Sequence, residues 1–363
     1  MKIRFLALNN TFSHTQIGGT DSYMRRLSFA LIRKEFEVEW VFYGVAQSSS
    51  CKLNGLKISY FEKFSEALDH CRGAETSVLI SCYLKPWDRL KLVKLKLCPQ
   101  VKLYFLAFFY PDTTFKKLLR YFETLIIGFS AVFCVSQRLV KFYKKIGCRS
   151  VYLPPIIPDE YFSTGYEKLK RTKTNIPGKV KALFLGRLDP RKGISEVISL
   201  LKLPKLSSKV KWTISGILIE EDLGNLDAQK ELEANKQIVF HKEERSDYSD
   251  GVEKRVISFL ADAEYFLQPY KSLSSTVDLP LLLLEAQAAG CIVLTTLPET
   301  LEDYMYGSSQ AIAGDFKKSC SYILLSSQKK WMSTWQDKKD LDLMRTLYSQ
   351  DAVLVQFDKV VHG

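Results

Sequence analysis

The chain is 363 residues long, 46% hydrophobic and 25% charged, with a formal net charge of +12. That balance is ordinary for a soluble globular protein and the length suits two domains; a run of about 18 apolar residues, as a membrane span needs, is absent from the sequence. The charge is uneven: between Lys85 and Lys145 thirteen Lys/Arg stand against three Asp/Glu, which suggests a phosphate-bearing partner. The opening "MKIRFLALNN" reads as a strand without a signal-peptide pattern. Further apolar runs at 37–44, 77–83, 101–109 and 131–136 predict strands, with amphipathic helical stretches such as 21–34 between some of them. Such alternation predicts a parallel sheet covered on both faces. "LIIGFSAVFCV" (125–135) reads as a buried helix end and a strand. "PPIIPDEYF" (154–162) breaks the pattern, and the polar, basic stretch 167–179 reads as a linker. Strands resume at 180–186, 209–216, 237–241, 263–269 and 291–296, and the tail from Lys338 is helical in pattern.

The expected architecture is therefore α/β, with two Rossmann-like domains facing a central cleft. The expected divisions are 1–166, a linker 167–179, a second domain 180–340, and a C-terminal helix 341–363 returning to the first domain. Eight cysteines without a C-x-x-C pair read as including several buried thiols in a reducing compartment, and the expected location is the cytoplasm.

Three stretches carry chemistry. In "GRLDPRKG" (186–193) a strand hands over to a helix. Gly186 permits a sharp turn and Gly193 eases the approach to the helix N-terminus, whose free N–H groups attract an anion. Arg187 offers a two-pronged grip on phosphate and Lys192 a point charge. The plain alternative is a solvated turn. "IGGTDSYMRRL" (17–27) follows strand 1 through a loop holding His14; Gly18 and Gly19 open a helix and admit phosphate to the backbone. No G-x-G-x-x-G is present, so the dinucleotide-redox fingerprint is missing. In "STVDLPLLLLEAQAAGCIVLTT" (275–296) Glu285 is the only charge between Asp278 and Glu299. It must have partners or line a ligand cavity, the alternatives being a helix cap or a buried ion pair. The string Asp340-Leu341-Asp342 lies in the helical tail and reads as surface.

Taken together and in this order, these stretches resemble the retaining GT-B glycosyltransferases of family 4. The likeness covers most of the chain and includes "CVSQRLVKFYKKIG", "VYLPPIIPDEYF", "LFLGRLDPRKG" and "LEAQAAGCIVLTT". It implies transfer of a sugar from a nucleotide-diphosphate sugar, with Arg187 and Lys192 on the donor diphosphate as catalytic groups and Glu285 on the ribose. Gly18, Gly19 and Gly186 are implied at the donor as well. It implies no cofactor and no metal, because the cations stabilise the leaving diphosphate and that phosphate takes the acceptor's proton.

Two positions depart from the family. Val277 stands eight residues before Glu285, where the family usually has a first Glu, and Phe109 stands where its His is common. Asp278 is adjacent and either replaces that carboxylate or caps the following helix. His14 and Asp112 are the weaker acceptor or cleft candidates, His14 reading also as a solvated loop residue. The expected acceptor is a glycan or a lipid-linked molecule at the cytoplasmic membrane face. The basic segment Lys85–Lys145 would touch an anionic membrane, with half of its apolar residues turned to the domain core. No nucleic acid is expected as a partner, since no RNA or DNA module is recognisable. The two departures motivate an alternative, a catalytically inactive GT-B subunit that binds or activates a partner glycosyltransferase.

Overall fold

The computed structural model describes residues 1–9, 18–72, 77–81, 84–98, 100–172, 179–218, 224–244, 250–273, 277–326 and 337–362. These form two compact units, the first mainly Thr20–Ile156 with Gln350–Gly363, the second mainly Ile157–Ser349. His14 lies outside the described residues.

The first unit is built on an eight-stranded sheet. Its strands are β1 (Lys2–Leu8), β2 (Glu37–Tyr43), β3 (Ser49–Leu53), β4 (Leu56–Phe61), β5 (Ser77–Ser81), β6 (Val101–Ala107), β7 (Ala131–Cys134) and β8 (Ser150–Tyr152). Their order is β3-β4-β2-β1-β5-β6-β7-β8. All pairs are parallel except the β3–β4 hairpin. Helices α1 (Gly19–Arg33), α2 (Phe64–Arg72), α3 (Pro86–Lys91), α4 (Thr114–Ile127) and α5 (Gln137–Lys145) make the crossovers. The central strands are apolar on both faces, as parallel strands between two helical layers must be: Ile3, Phe5, Leu6 and Ala7 of β1 and Trp40 and Val41 of β2 are all buried. The order of strands reverses between β1 and β5, so β1 ends at the switch point of its sheet.

The second unit opens with α6 (Asp159–Thr172) and continues through β9 (Val180–Arg187), α7 (Ile194–Leu201), α8 (Pro204–Lys209), β10 (Val210–Leu218), α9 (Gly224–Ala234) and β11 (Ile238–Glu244). There follow α10 (Asp250–Asp262), β12 (Tyr265–Gln268), α11 (Leu281–Ala288), β13 (Ile292–Thr295), α12 (Pro298–Leu301), β14 (Gln310–Ala311), α13 (Phe316–Ser326) and α14 (Lys338–Tyr348). Its sheet is wholly parallel in the order β11-β10-β9-β12-β13-β14. Alternate residues of β9 (Val180, Ala182, Phe184) join Trp212, Ile214, Tyr265 and Leu267 in one core face, against Ile194, Val197, Ile198 and Leu201 of α7. The strand period of two and the helix period of 3.6 meet there.

Three expectations change. Residues 167–172 are the end of α6 rather than linker, and α6 packs on α10, α11 and α14 of the second unit. Gly165 makes that approach possible, since a Cβ there would stand 2.3 Å from the Ala288 carbonyl oxygen. The boundary therefore falls at Ile156/Ile157 instead of after residue 166. The tail is two helices: α14 stays with the second unit, and after Ser349 a new helix, α15 (Gln350–Val361), completes the first. There Phe357 stacks on Phe133 at 5.4 Å, and Lys102 Nζ donates to the Val361 carbonyl at 3.0 Å. Finally, Leu125 and Ile126, expected in a buried helix end, are exposed. Asp340 and Asp342 have structural work: Asp340 closes a capping box with Asp337, and Asp342 accepts a hydrogen bond from the Tyr166 hydroxyl at 2.5 Å.

Candidate active site

In the second sheet β9 sends its chain to one side, through α7 and α8 to β10, while β12 lies on its other side. The crevice beyond the carboxyl ends of β9 and β12 is therefore a switch point, where ligands of open α/β sheets bind. The octapeptide 186–193 leaves β9 there. Asp189 organises it: its carboxylate accepts from the Arg191 backbone N–H at 2.8 Å and from the Arg191 guanidinium at 2.7 and 3.0 Å. Burial works to raise the Asp189 carboxyl, but the hydrogen bonds from Arg191 outweigh it and hold it below its ordinary value. Pro190–Lys192 form a 3-10 turn closed by Lys192 N–H to Asp189 O (2.8 Å) and Gly193 N–H to Pro190 O (3.0 Å).

Gly193 is indispensable to this path. Its φ is +81°, and a Cβ would sit 1.9 Å from the Pro269 carbonyl oxygen. It is also the N-cap of α7, so no side-chain oxygen occupies that helix end. The Lys271 N–H donates to Arg191 O at 3.0 Å, tying the loop to the segment after β12.

The loop delivers its two predicted cations differently. Arg187 ends β9 with its side chain 30% exposed and a guanidinium nitrogen 4.0 Å from Asp189. Lys192 is only 8% exposed, with its ammonium 4.9 Å from the centre of the buried Tyr270 ring. Among the described residues it forms no ion pair. Burial, reinforced by Arg187, lowers its pKa from 10.5 to about 7, with Asp189 opposing. A desolvated ammonium over an aromatic face and beside two guanidinium groups, with Asp189 already paired to Arg191, is suited to receive a further anion. Two buried polar atoms beside this loop also lack hydrogen-bond partners among the described residues, Ser215 Oγ on β10 and Gln268 Oε1 on β12. The amide of Gln268 lies next to Gly186, 3.7 Å from where a Cβ would stand.

Asp278 and Glu285 are 3% and 4% exposed. The N-cap of α11 is Pro280, with no side-chain hydrogen bond at the cap. Asp278 stands two residues before that N-cap position. Glu285 lies in the fifth position of α11 and is not a cap. Val277, in the place of the family's first Glu, is buried. Gly18 precedes α1 and Gly19 is its first residue. Asp112 is exposed in the first unit and pairs with Lys116 at 2.7 Å.

The structure thus brings Gly186, Arg187 and Lys192 together and adds Asp189, Tyr270 and Gln268, which sequence reasoning missed. The Asp-Pro pair inside the octapeptide signalled a turn ordered by the Asp side chain. Tyr270 and Gln268 had no such local signal, because their role depends on β12 lying beside β9.

Residues 167–306 match the family model of glycosyl transferases group 1. No curated protein sequence matches the chain. Among solved structures, sucrose-phosphate synthase from Thermosynechococcus elongatus superposes with a TM-score of 0.70 at 13% identity, over 100% of this chain and 98% of that one. Anabaena HepE, in complex with UDP and glucose, gives 0.70 at 10% identity, over 100% and 99%. The UDP-forming α,α-trehalose-phosphate synthase of Burkholderia xenovorans, in complex with glucose-6-phosphate, gives 0.66 at 11%, over 100% of both chains.

Proposed function

We propose that this chain, a glycosyltransferase of the GT-B fold by its group 1 domain, is retaining and moves a sugar from a nucleotide-diphosphate sugar to a glycan or lipid-linked acceptor at a membrane face. The observation that carries the reading is Lys192, buried beside Arg187 at the switch point with no ion-pair partner among the described residues. In the proposed transfer the bond from the anomeric carbon to the diphosphate oxygen breaks and one to the acceptor oxygen forms. The acceptor proton passes to the departing phosphate. Negative charge grows on that diphosphate, and two fixed cations in a water-poor loop stabilise it without a metal. Asp278 and Glu285 would hold the donor sugar and the ribose. HepE and trehalose-phosphate synthase, solved with a nucleotide or a sugar phosphate, are consistent with such a donor.

Glu285→Gln and Asp278→Asn test the two carboxylates. A carboxylate accepts two ribose hydroxyl bonds where the amide has one acceptor oxygen, so Glu285→Gln is expected to raise the donor's apparent Kd. Asp278→Asn is expected to reduce turnover with donor binding largely kept. Unchanged kinetics in both, measured over a panel of nucleotide-sugars, would remove the assignments.

Donor affinity should depend on pH through Lys192. Its pKa is about 7 in the free protein, and a bound diphosphate raises it. Affinity for UDP-glucose, whose diphosphate does not titrate near neutrality, should then be flat below pH 7. Above it, affinity should fall by up to about tenfold per pH unit, since binding must bring a proton with it. Calorimetry across pH 6–9 tests this, and the slope should vanish in Lys192→Met.

A second reading, an inactive subunit that activates a partner enzyme, is favoured by one observation: Val277 puts a buried apolar side chain where the family has a carboxylate. Donor hydrolysis by the purified chain alone separates the two.

A further inference from the structure

Helix α4 is built inside out. Its inward residues are Glu123, Thr124 and Ile127, all buried. Glu123 is held by Arg89 of α3 at 3.1 Å and by Arg120, both of which also lie over the Phe105 ring. Burial raises the Glu123 carboxyl above its ordinary value, with Arg120 opposing. The outward residues are Phe115 (75% exposed), Leu118 (52%), Phe122 (48%), Leu125 (65%) and Ile126 (48%). The spacings of three, four, three and one place these five on a single stripe of the helix. Trp87, on the neighbouring α3, is 78% exposed. Soluble proteins scatter exposed apolar residues singly; a contiguous stripe marks a surface that something covers.

The charges beside the stripe decide what. From Lys85 to Ile126 there are nine Lys/Arg and three Asp/Glu. Of the three acids, Glu123 is turned inward, Asp88 is mostly buried and pairs with Lys91, and Asp112 pairs with Lys116. Lys85, Lys91, Lys94 and Lys116 are exposed. An apolar stripe edged by solvent-facing cations, on a helix about 21 Å long, has the make-up of a helix lying in a bilayer interface. Among the described residues no helix is long and apolar enough to cross a membrane.

We propose that α4, with Trp87, lies in the interface of an anionic lipid bilayer, burying Phe115, Leu118, Phe122 and Leu125 among the acyl chains while the lysines meet the headgroups. The proposal rests on the reading that the acceptor is presented at a membrane face and names the element that would hold the enzyme there. The expectation that half of these apolar side chains pack into the core is thereby replaced for α4.

The test is flotation of the full chain with vesicles of phosphatidylcholine alone or of phosphatidylcholine and phosphatidylglycerol at 7:3. Binding is expected to be at least about tenfold tighter to the anionic vesicles, weaker in 0.5 M salt, and accompanied by a blue shift of Trp fluorescence that Trp87→Phe removes. Phe115→Ser with Phe122→Ser should lower vesicle affinity by about tenfold or more. Tyr322→Ser, which removes a 74% exposed aromatic of the second unit, should not. Binding of a panel of nucleotide-sugars in the same variants keeps the donor reading separate: vesicle binding without binding of any of them would sink the proposed transferase chemistry and leave α4 standing. No binding to either vesicle, or binding unaffected by the double substitution, overturns the proposal. Self-association of the wild type that the double substitution abolishes would also overturn it, assigning the stripe to a second copy of the chain.

Discussion

Lys192→Met is expected to lower turnover about 10²–10³-fold, the usual cost of removing one preorganised charge-stabilising donor. Methionine keeps the apolar stem against Tyr270, so the loss isolates the charge. A second, less intuitive result should accompany it: the protein should become no less stable, and more stable at pH below 7. In the native loop an ammonium is buried with no ion pair among the described residues, its burial offset only in part by the Asp189 carboxylate. Its folded pKa lies below its unfolded value, so the unfolded chain binds more protons between pH 7 and 10.5, and wild-type stability rises with pH through that window. The variant should lose this part of the pH dependence. Arg187→Ala should lower turnover as well. Urea denaturation at pH 6 and pH 9 beside steady-state kinetics separates the two effects. Wild-type turnover in both variants would remove the diphosphate role from this loop.

Gly193→Val is expected to disrupt the second unit strongly. The added Cβ meets backbone, the Pro269 carbonyl oxygen at 1.9 Å and its carbon at 2.6 Å. Neither side can yield cheaply, because Pro269 follows β12 directly and Gly193 caps α7. A positive φ adds strain of its own for a β-branched residue. Together these cost about 3 kcal/mol or more, within the range of overpacking combined with backbone strain. Soluble yield and the urea midpoint measure it. A near-wild-type midpoint would mean that the loop is not seated against Pro269. Gly193→Ala should be milder, yet still expected to lift Lys192 off Tyr270 and impair turnover.

What could be read from the sequence followed from period and composition. Buried parallel strands such as 180–186 and 131–136 announce themselves as apolar runs, and the glycine-bracketed cations mark a strand end. The β3–β4 hairpin was missed although its signal is present: Asn54 and Gly55 take φ of 47° and 87°, the left-handed pair of a type I′ turn. The strands around it, "SSSCKL" and "LKISYF", are too polar or too short to stand out. Residues 167–172 were misread because charge and polarity in a helix facing solvent on one side look like a linker. In α4 the sequence reads as a buried helix end from Leu125, yet Leu125 and Ile126 are exposed. A hydrophobic stripe reveals a face, while only the tertiary position of Glu123, Arg89 and Arg120 reveals which way it points. Tyr270 and Gln268 depend on a strand order that local patterns do not encode.

The placement of α15 sets an order of events on the ribosome. The first unit begins with β1 but receives its last helix only after the whole second unit has been made. Until Gln350–Val361 emerge, the ring of Phe133 lacks Phe357, and the amine of Lys102 lacks its carbonyl at Val361. The second unit, whose strands all lie between Ile157 and Ser349, has its whole sheet while the first is still open along one face. Domains generally fold as units as they are synthesised, so the enclosed unit matures first here, inverting the usual N-terminal precedence. A premature stop at Ser349 would accordingly spare the loop bearing Lys192 and leave the nascent first unit dependent on chaperones.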